Sequence, residues 1–224
     1  MIKAIVFDFD GTILDTESAE YATWQAVYDH YGQELPMHEW SLIVGSAGQT
    51  FDLLAYLEHL VGRPLPRDEI RRERRLHDDA IVDRLEPREG VREIVAAAKA
   101  EGVGLAIASS SPRRWVVRHL ERVGLMGDFP VIGSFDEVGR GKPDPATYLY
   151  ALQHLGVAPA DAVAIEDSPN GALAAAAADI PCLVVPNPVT ARMRFPAGTR
   201  LHETLAGLSL AELARLAGSS CAAD

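Results

Sequence analysis

The sequence predicts an α/β fold: a doubly wound parallel sheet with an all-helical segment inserted after its first strand. Three observations predict it. Short apolar runs such as Ala4-Ile5-Val6-Phe7, Gly104-Leu105-Ala106-Ile107-Ala108 and Ala162-Val163-Ala164-Ile165 carry no polar interruption, as in strands buried on both faces. Helical patterns separate the later runs, and strand–helix alternation builds a parallel sheet. Residues 16–85, by contrast, contain helical patterns and no convincing strand.

The first strand is expected over residues 3–9, and it ends in Asp8-Phe9-Asp10-Gly11-Thr12. Ligands of open α/β sheets bind at the carboxyl edge of the strands, so Asp8 and Asp10 are placed for chemistry. Gly11 permits the tight turn that follows. Two carboxylates this close repel; they share a proton or hold a hard cation such as Mg2+. The alternative is that they merely end a strand and start a turn, where Asp is common.

In the inserted segment, residues 16–30 are helical in pattern and closed by Tyr31-Gly32. A second helical stretch covers 35–44, Gly45-Ser46-Ala47-Gly48 is a flexible break, and a third helix covers 51–60. The fourth, 66–85, opens on Asp68 and Glu69, which suit a helix N-terminus. It also carries Arg67, Arg71, Arg72, Arg74 and Arg75. One of these could face a substrate phosphate, but the balancing Asp68, Glu69 and Glu73 favour a solvated face. Asp15 and Glu17, where the chain enters the segment, read as hinge or structural groups.

The chain returns through Glu86-Pro87-Arg88-Glu89-Gly90 to a helix at 91–100 and a strand at 104–108 that stops at Ser109-Ser110-Ser111-Pro112. A helix at 115–123, a weaker strand at 131–133, the loop Gly139-Arg140-Gly141-Lys142-Pro143-Asp144-Pro145 and a helix at 146–155 follow. The strand at 162–165 ends in Glu166-Asp167-Ser168-Pro169-Asn170-Gly171; an alanine-rich helix at 172–178 and a strand at 182–185 come next. A short strand within 201–205, a last helix at 210–216 and a disordered tail at 219–224 complete the expectation. The organisation expected is therefore a core of 1–15 and 86–218 and a helical insertion of 16–85. Three strand ends bring Asp8 and Asp10, Ser109, and Glu166 with Asp167 to one edge, and a loop brings Lys142.

The net charge of −11 (21 basic against 32 acidic residues) argues against nucleic acid as the main partner, since phosphate backbones need a basic face. A small phosphorylated substrate remains compatible, because a metal and one or two cations neutralise it locally. Two cysteines, Cys182 in an apolar run and Cys221 in the tail, make no disulfide framework. The N-terminus opens on a strand with no leader pattern, and no apolar run reaches the ~18 residues of a membrane span. A cytoplasmic monomer without membrane contact is expected.

Asp8-Phe9-Asp10-Gly11-Thr12, Ser109, Gly141-Lys142-Pro143 and Glu166-Asp167-Ser168, in this order, resemble the haloacid dehalogenase superfamily. The resemblance covers nearly the whole chain. It is to the subgroup with a helical cap inserted after the first strand of a Rossmann-like core, which contains β-phosphoglucomutase and many small phosphatases. The resemblance implies that Asp8 is the nucleophile of an aspartyl-phosphate mechanism and Asp10 the acid that protonates the leaving alcohol and then activates water. It implies that Ser109 hydrogen-bonds the phosphoryl group and that Lys142 neutralises it and steadies Asp8. It also implies Mg2+ held by Asp8, the backbone carbonyl of Asp10 and Asp167, with Glu166 close by. Without the resemblance, Ser109 could equally be a helix N-cap.

Three departures narrow the choice. Asp10 stands where the superfamily's dehalogenases lack a second acid and its phosphonate hydrolases carry Ala. The mutases grip a distal phosphate with a cap-loop arginine, and Gly45-Ser46-Ala47-Gly48-Gln49-Thr50 has none. Asp179 stands where the family usually has Gly after the alanine helix, at a small expected cost. The expected function is a Mg2+-dependent phosphatase of a small phosphomonoester, a sugar phosphate being one candidate; a β-phosphoglucomutase-like mutase is the alternative.

Overall fold

The computed structural model describes residues 2–44 and 51–218. Strand β1 (Ala4–Phe7) is buried throughout and lies mid-sheet. It pairs in parallel with β2 (Gly104–Ala108) on one side and β4 (Ala162–Glu166) on the other. Beyond β2 lies β3 (Val131–Gly133); beyond β4 lie β5 (Cys182–Val184) and β6 (Arg200–Leu201), all parallel. The order β3-β2-β1-β4-β5-β6 is that of a doubly wound Rossmann-like sheet, with its switch point between β1 and β4.

The apolar runs are not uniform, and their period-2 content decides what packs on each face. Ile5, Phe7, Leu105, Ile107, Val163 and Ile165 project to one side. There they meet α5 (Val91–Ala100), α6 (Arg113–Arg122) and α10 (Leu210–Gly218) in the larger core. Ala4, Val6, Ala106, Ala108, Ala162 and Ala164 project to the other. These small side chains sit against α8 (Ala146–Leu155) and the alanines of α9 (Pro169–Ala177). A one-residue slip in any of these strands would put bulky residues where α8 and α9 approach.

Residues 16–82 form α1 (Thr16–His30), α2 (Met37–Trp40), α3 (Leu53–Val61) and α4 (Arg67–Val82). No strand occurs among the described residues of this segment. Its helices share a separate apolar cluster that includes Trp24, Tyr28, Trp40, Leu54 and Leu57, joined by Val189 from beyond β5.

Several boundaries differ from expectation. Strand β1 stops at Phe7, because Asp10 already bridges Leu14 in a tight turn. Only 37–40 of the expected 35–44 helix is α-helical; Leu42 and Ile43 donate back three residues instead, as in a tightened turn. The expected 66–85 helix ends at Val82, with the same tightened bonds at Arg84 and Leu85. Helix α6 opens at Arg113 behind Pro112 rather than at 115. Helix α9 opens at Pro169, with Ser168 as N-cap accepting from the Gly171 amide, rather than at 172. One short helix, α7 (Phe135–Val138), was not expected; the reciprocal Ser134–Glu137 capping box forms it. The expected break at 45–48, the expected cap loop 45–50 and the expected tail 219–224 lie outside the described residues. No helix among the described residues is long and apolar enough to cross a membrane.

Candidate active site

Asp8 directly follows β1 and is buried. Lys142 Nζ lies 2.5 Å from Asp8 Oδ1 and 2.5 Å from Glu166 Oε1. Glu166, at the end of β4, is fully buried and has no spare capacity: Oε1 also accepts from Tyr148 Oη (2.7 Å), and Oε2 from the Asp167 amide (3.2 Å) and Ser168 Oγ (3.4 Å). Gly171 makes room for it, since a Cβ there would lie 1.9 Å from the Glu166 carboxylate. Asp167 Oδ2 accepts from Asn187 Nδ2 at 2.7 Å. Gly11, at φ +83°, is required twice over: a Cβ there would meet Asp167 Oδ2 at 2.3 Å.

Asp8, Glu166 and Asp167 each offer an oxygen within 4.8 Å of the others. Burial pushes the Asp8 carboxyl up to about 7; Lys142 pulls it back and Glu166 pushes it further. Burial, with the charges of Asp8 and Glu166, pushes Asp167 up as well. Burial would lower Lys142, yet Asp8 and Glu166 overcome this and raise it. Three carboxylates around one ammonium leave an excess of negative charge, and this all-oxygen set suits a hard divalent cation. Arg88 does not relieve it by an ion pair. Its guanidinium donates to the carbonyls of Gly11, Val185 and Pro186, tying the β1 and β5 loops together.

The Asp10 carboxylate lies outside that group of three. It accepts from Thr16 Oγ1 (3.0 Å), Ser111 Oγ (2.6 Å) and Trp115 Nε1 (2.8 Å), with Ser109 Oγ at 3.5 Å. Ser109, at the end of β2, is buried and accepts from the Ser111 amide; the N-cap position of α6 falls instead to Pro112. The structure thus brings Asp8, Lys142 and Glu166 into direct contact, puts an Asp167 oxygen within 4.8 Å of the two carboxylates, and sets Asp10 and Ser109 side by side at the same edge.

A cavity of about 300 Å³ opens on this edge, small for a ligand pocket. Asp8, Asp10, Ser109 and Trp115 line its sheet side; Glu17, Glu20, Trp40 and Asp78 line it from the helical segment. Asp15 is the N-cap of α1, as a structural reading expects. Glu17 is about nine-tenths buried, and lines the cavity with no hydrogen-bond or ion-pair partner among the described residues. Burial first, then the charges of Glu20, Asp167, Asp10 and Asp8, push it well above the usual carboxylate range. None of the α4 arginines lines the cavity; Arg74 is held by Glu20, Thr23 and the face of Trp24.

The sequence reading missed Thr16, Ser111, Trp115, Tyr148 and Asn187. Thr16, Ser111, Trp115 and Tyr148 lie in or beside helices, with nothing local to mark them. Asn187 had a signal: it follows β5 in Pro186-Asn187-Pro188, at the same carboxyl edge as the other strand ends.

The family model for haloacid dehalogenase-like hydrolases matches residues 2–179. The chain belongs to that family. This haloacid dehalogenase-like hydrolase is 41% identical over 213 residues to YhcW of Bacillus subtilis, covering 95% of this chain and 96% of that one. It is 32% identical to the phosphorylated carbohydrates phosphatase of Thermotoga maritima, over 80% of this chain and 82% of that one. Among solved structures it is similar to CbbY from Rhodobacter sphaeroides in complex with phosphate. The TM-score is 0.72 at 31% identity, covering 95% of this chain and 99% of that one.

Proposed function

We propose that the protein is a Mg2+-dependent phosphatase that hydrolyses a small phosphomonoester, a phosphorylated sugar, through an aspartyl-phosphate on Asp8. The observation that carries this is a buried carboxylate at the carboxyl end of β1, held by Lys142 and facing a small cavity that Asp10 and Ser109 also line. The names and ligand of the relatives support it: one is a phosphatase of phosphorylated carbohydrates, and another holds phosphate in its crystal structure.

In this reading Asp8 attacks phosphorus, an O–P bond forms on its carboxylate and the ester P–O bond breaks. Asp10 gives a proton to the leaving oxygen, and in the second step takes one from the water that displaces Asp8. Its hydrogen bonds suit both states: the Ser111 and Ser109 hydroxyls at Oδ2 either donate or accept, while Trp115 and Thr16 fix Oδ1. Lys142 neutralises the phosphoryl oxygens, and Ser109 Oγ–H donates to one of them. Asp8 and Asp167, with Glu166 behind them, would hold Mg2+, which offsets repulsion between the carboxylates and the incoming phosphate. Residues 16–85 would act as a cap that excludes bulk water from the cavity.

The test is phosphate release from a panel of phosphomonoesters, with and without Mg2+, by wild type and Asp8→Asn. The expected result is Mg2+-dependent turnover that falls by about 10⁴-fold or more in the variant. Turnover that persists in folded Asp8→Asn would contradict the assignment.

A further inference from the structure

Among the described residues, the helical side of the cavity carries no cation to receive a second anion. Its charged groups there are Glu17, Glu20 and Asp78, with the Thr16 hydroxyl beside them. The sequence has no lysine or arginine between Lys3 and Arg63, so neither α1 nor anything up to the end of α3 supplies one. Arg74 is committed: Nη1 lies 3.7 Å from Glu20, 3.2 Å from Thr23 Oγ1, and the guanidinium sits 4.7 Å over the Trp24 ring. Two of the three carboxyls lack donors. Glu17 has no partner among the described residues, and Asp78 Oδ1 is a buried acceptor without one. Trp40, Ile43 and Val44 complete this side with apolar surface.

We propose that Glu17, Glu20 and Asp78 make the helical side of the cavity a specificity filter, which admits the monophosphate of an uncharged polyol and rejects an ester bearing a second phosphate. The inference rests on the phosphatase reading above. A polyol supplies hydroxyl donors to the unpartnered carboxyls and C–H surface to Trp40. A second phosphate offers only acceptors and negative charge, and meets three acidic groups, of which Glu17 is buried. The filter also favours hydrolysis over a mutase cycle, which passes through a bisphosphate that this cavity would repel.

The experiment compares kcat/KM, with Mg2+, for hexitol 6-phosphate and hexose 1,6-bisphosphate. Wild type should favour the hexitol ester over the bisphosphate by about 100-fold or more, the size of a buried like-charge contact. Glu17→Gln should raise KM for the hexitol ester about tenfold with a smaller effect on kcat, the loss of a hydrogen bond to a charged group. Asp78→Lys should shift the bisphosphate-to-monophosphate ratio toward the bisphosphate by about tenfold or more. Equal use of the bisphosphate, or a ratio unmoved by Asp78→Lys, would overturn the filter and leave the phosphatase reading standing. Failure of folded wild type to release phosphate from any ester would overturn both.

Discussion

Lys142 is only 3% exposed, and both of its charge partners, Asp8 and Glu166, are buried with it. Moving an ammonium out of water costs several kcal/mol, and here two carboxylates and a near neighbour ring, Tyr148 at 5.1 Å, offset that cost. Removing it leaves the carboxylates facing each other without a cation. Lys142→Met should therefore destabilise the metal-free protein by about 3 kcal/mol or more in urea unfolding, although Met is the better buried side chain. A loss below about 0.5 kcal/mol would show that the ion triad does not hold the site together. Glu166 is understood in the same terms: Lys142, Tyr148, the Asp167 amide and Ser168 donate to its two oxygens, which holds Lys142 in place.

At the scale of elements, the turn after α9 stores a small strain. Asp179 sits at φ +57°, in the left-handed region, directly before Ile180 re-enters the core. Asp179→Gly should stabilise the protein by up to about 1 kcal/mol, the relief of left-handed strain less the added freedom of the unfolded chain. A loss of stability on denaturant unfolding would mean that the Asp179 side chain has a role of its own. This position was legible in the sequence through the family resemblance, which puts Gly there. So were β2, β3, α5 and α8, whose observed ranges coincide with expectation: each is an apolar run or amphipathic stretch bounded by Gly or Pro. What was not legible is what depends on distant chain. The single turn α7 exists through one capping box, and α2 gives way to tightened turns at Ser41. The donors that hold Asp10 come from residues 6, 101 and 105 positions away, so no local pattern could announce them. The order of strands placed Asp8, Lys142, Glu166 and Asp167 at one edge because all are strand-end or loop residues on that edge. Trp115 and Tyr148 reach it only through the packing of helices on the sheet.

Across the whole molecule, a chain of net charge −11 concentrates three buried carboxylates at the switch point of its sheet. This arrangement couples folding to pH and to metal. Asp8 is raised from an unfolded 3.8 to about 7 in the fold, and Asp167 moves the same way. A raised carboxyl contributes stability that is complete below its unfolded pKa and is lost as pH rises through its folded pKa. In the metal-free protein Asp8 should therefore cost stability between about pH 4 and pH 7, and Asp167 acts in the same direction. A divalent cation held by these carboxylates would bind their deprotonated form, so the rise in Tm on adding Mg2+ should grow from about pH 5 to about pH 8. A Mg2+ effect on Tm that is flat with pH would contradict the assignment of these carboxylates to the ion. The central claim is that Asp8 itself carries the phosphoryl group. Its most direct test is mass spectrometry of acid-quenched Asp10→Asn enzyme after exposure to acetyl phosphate and Mg2+. Acetyl phosphate has a leaving group that needs no protonation, and without Asp10 the second step lacks its base, so the intermediate should accumulate. We expect phosphate on the peptide containing Asp8, and none when Asp8 is also changed to Asn; phosphate on another residue, or on none while turnover continues, would contradict the account.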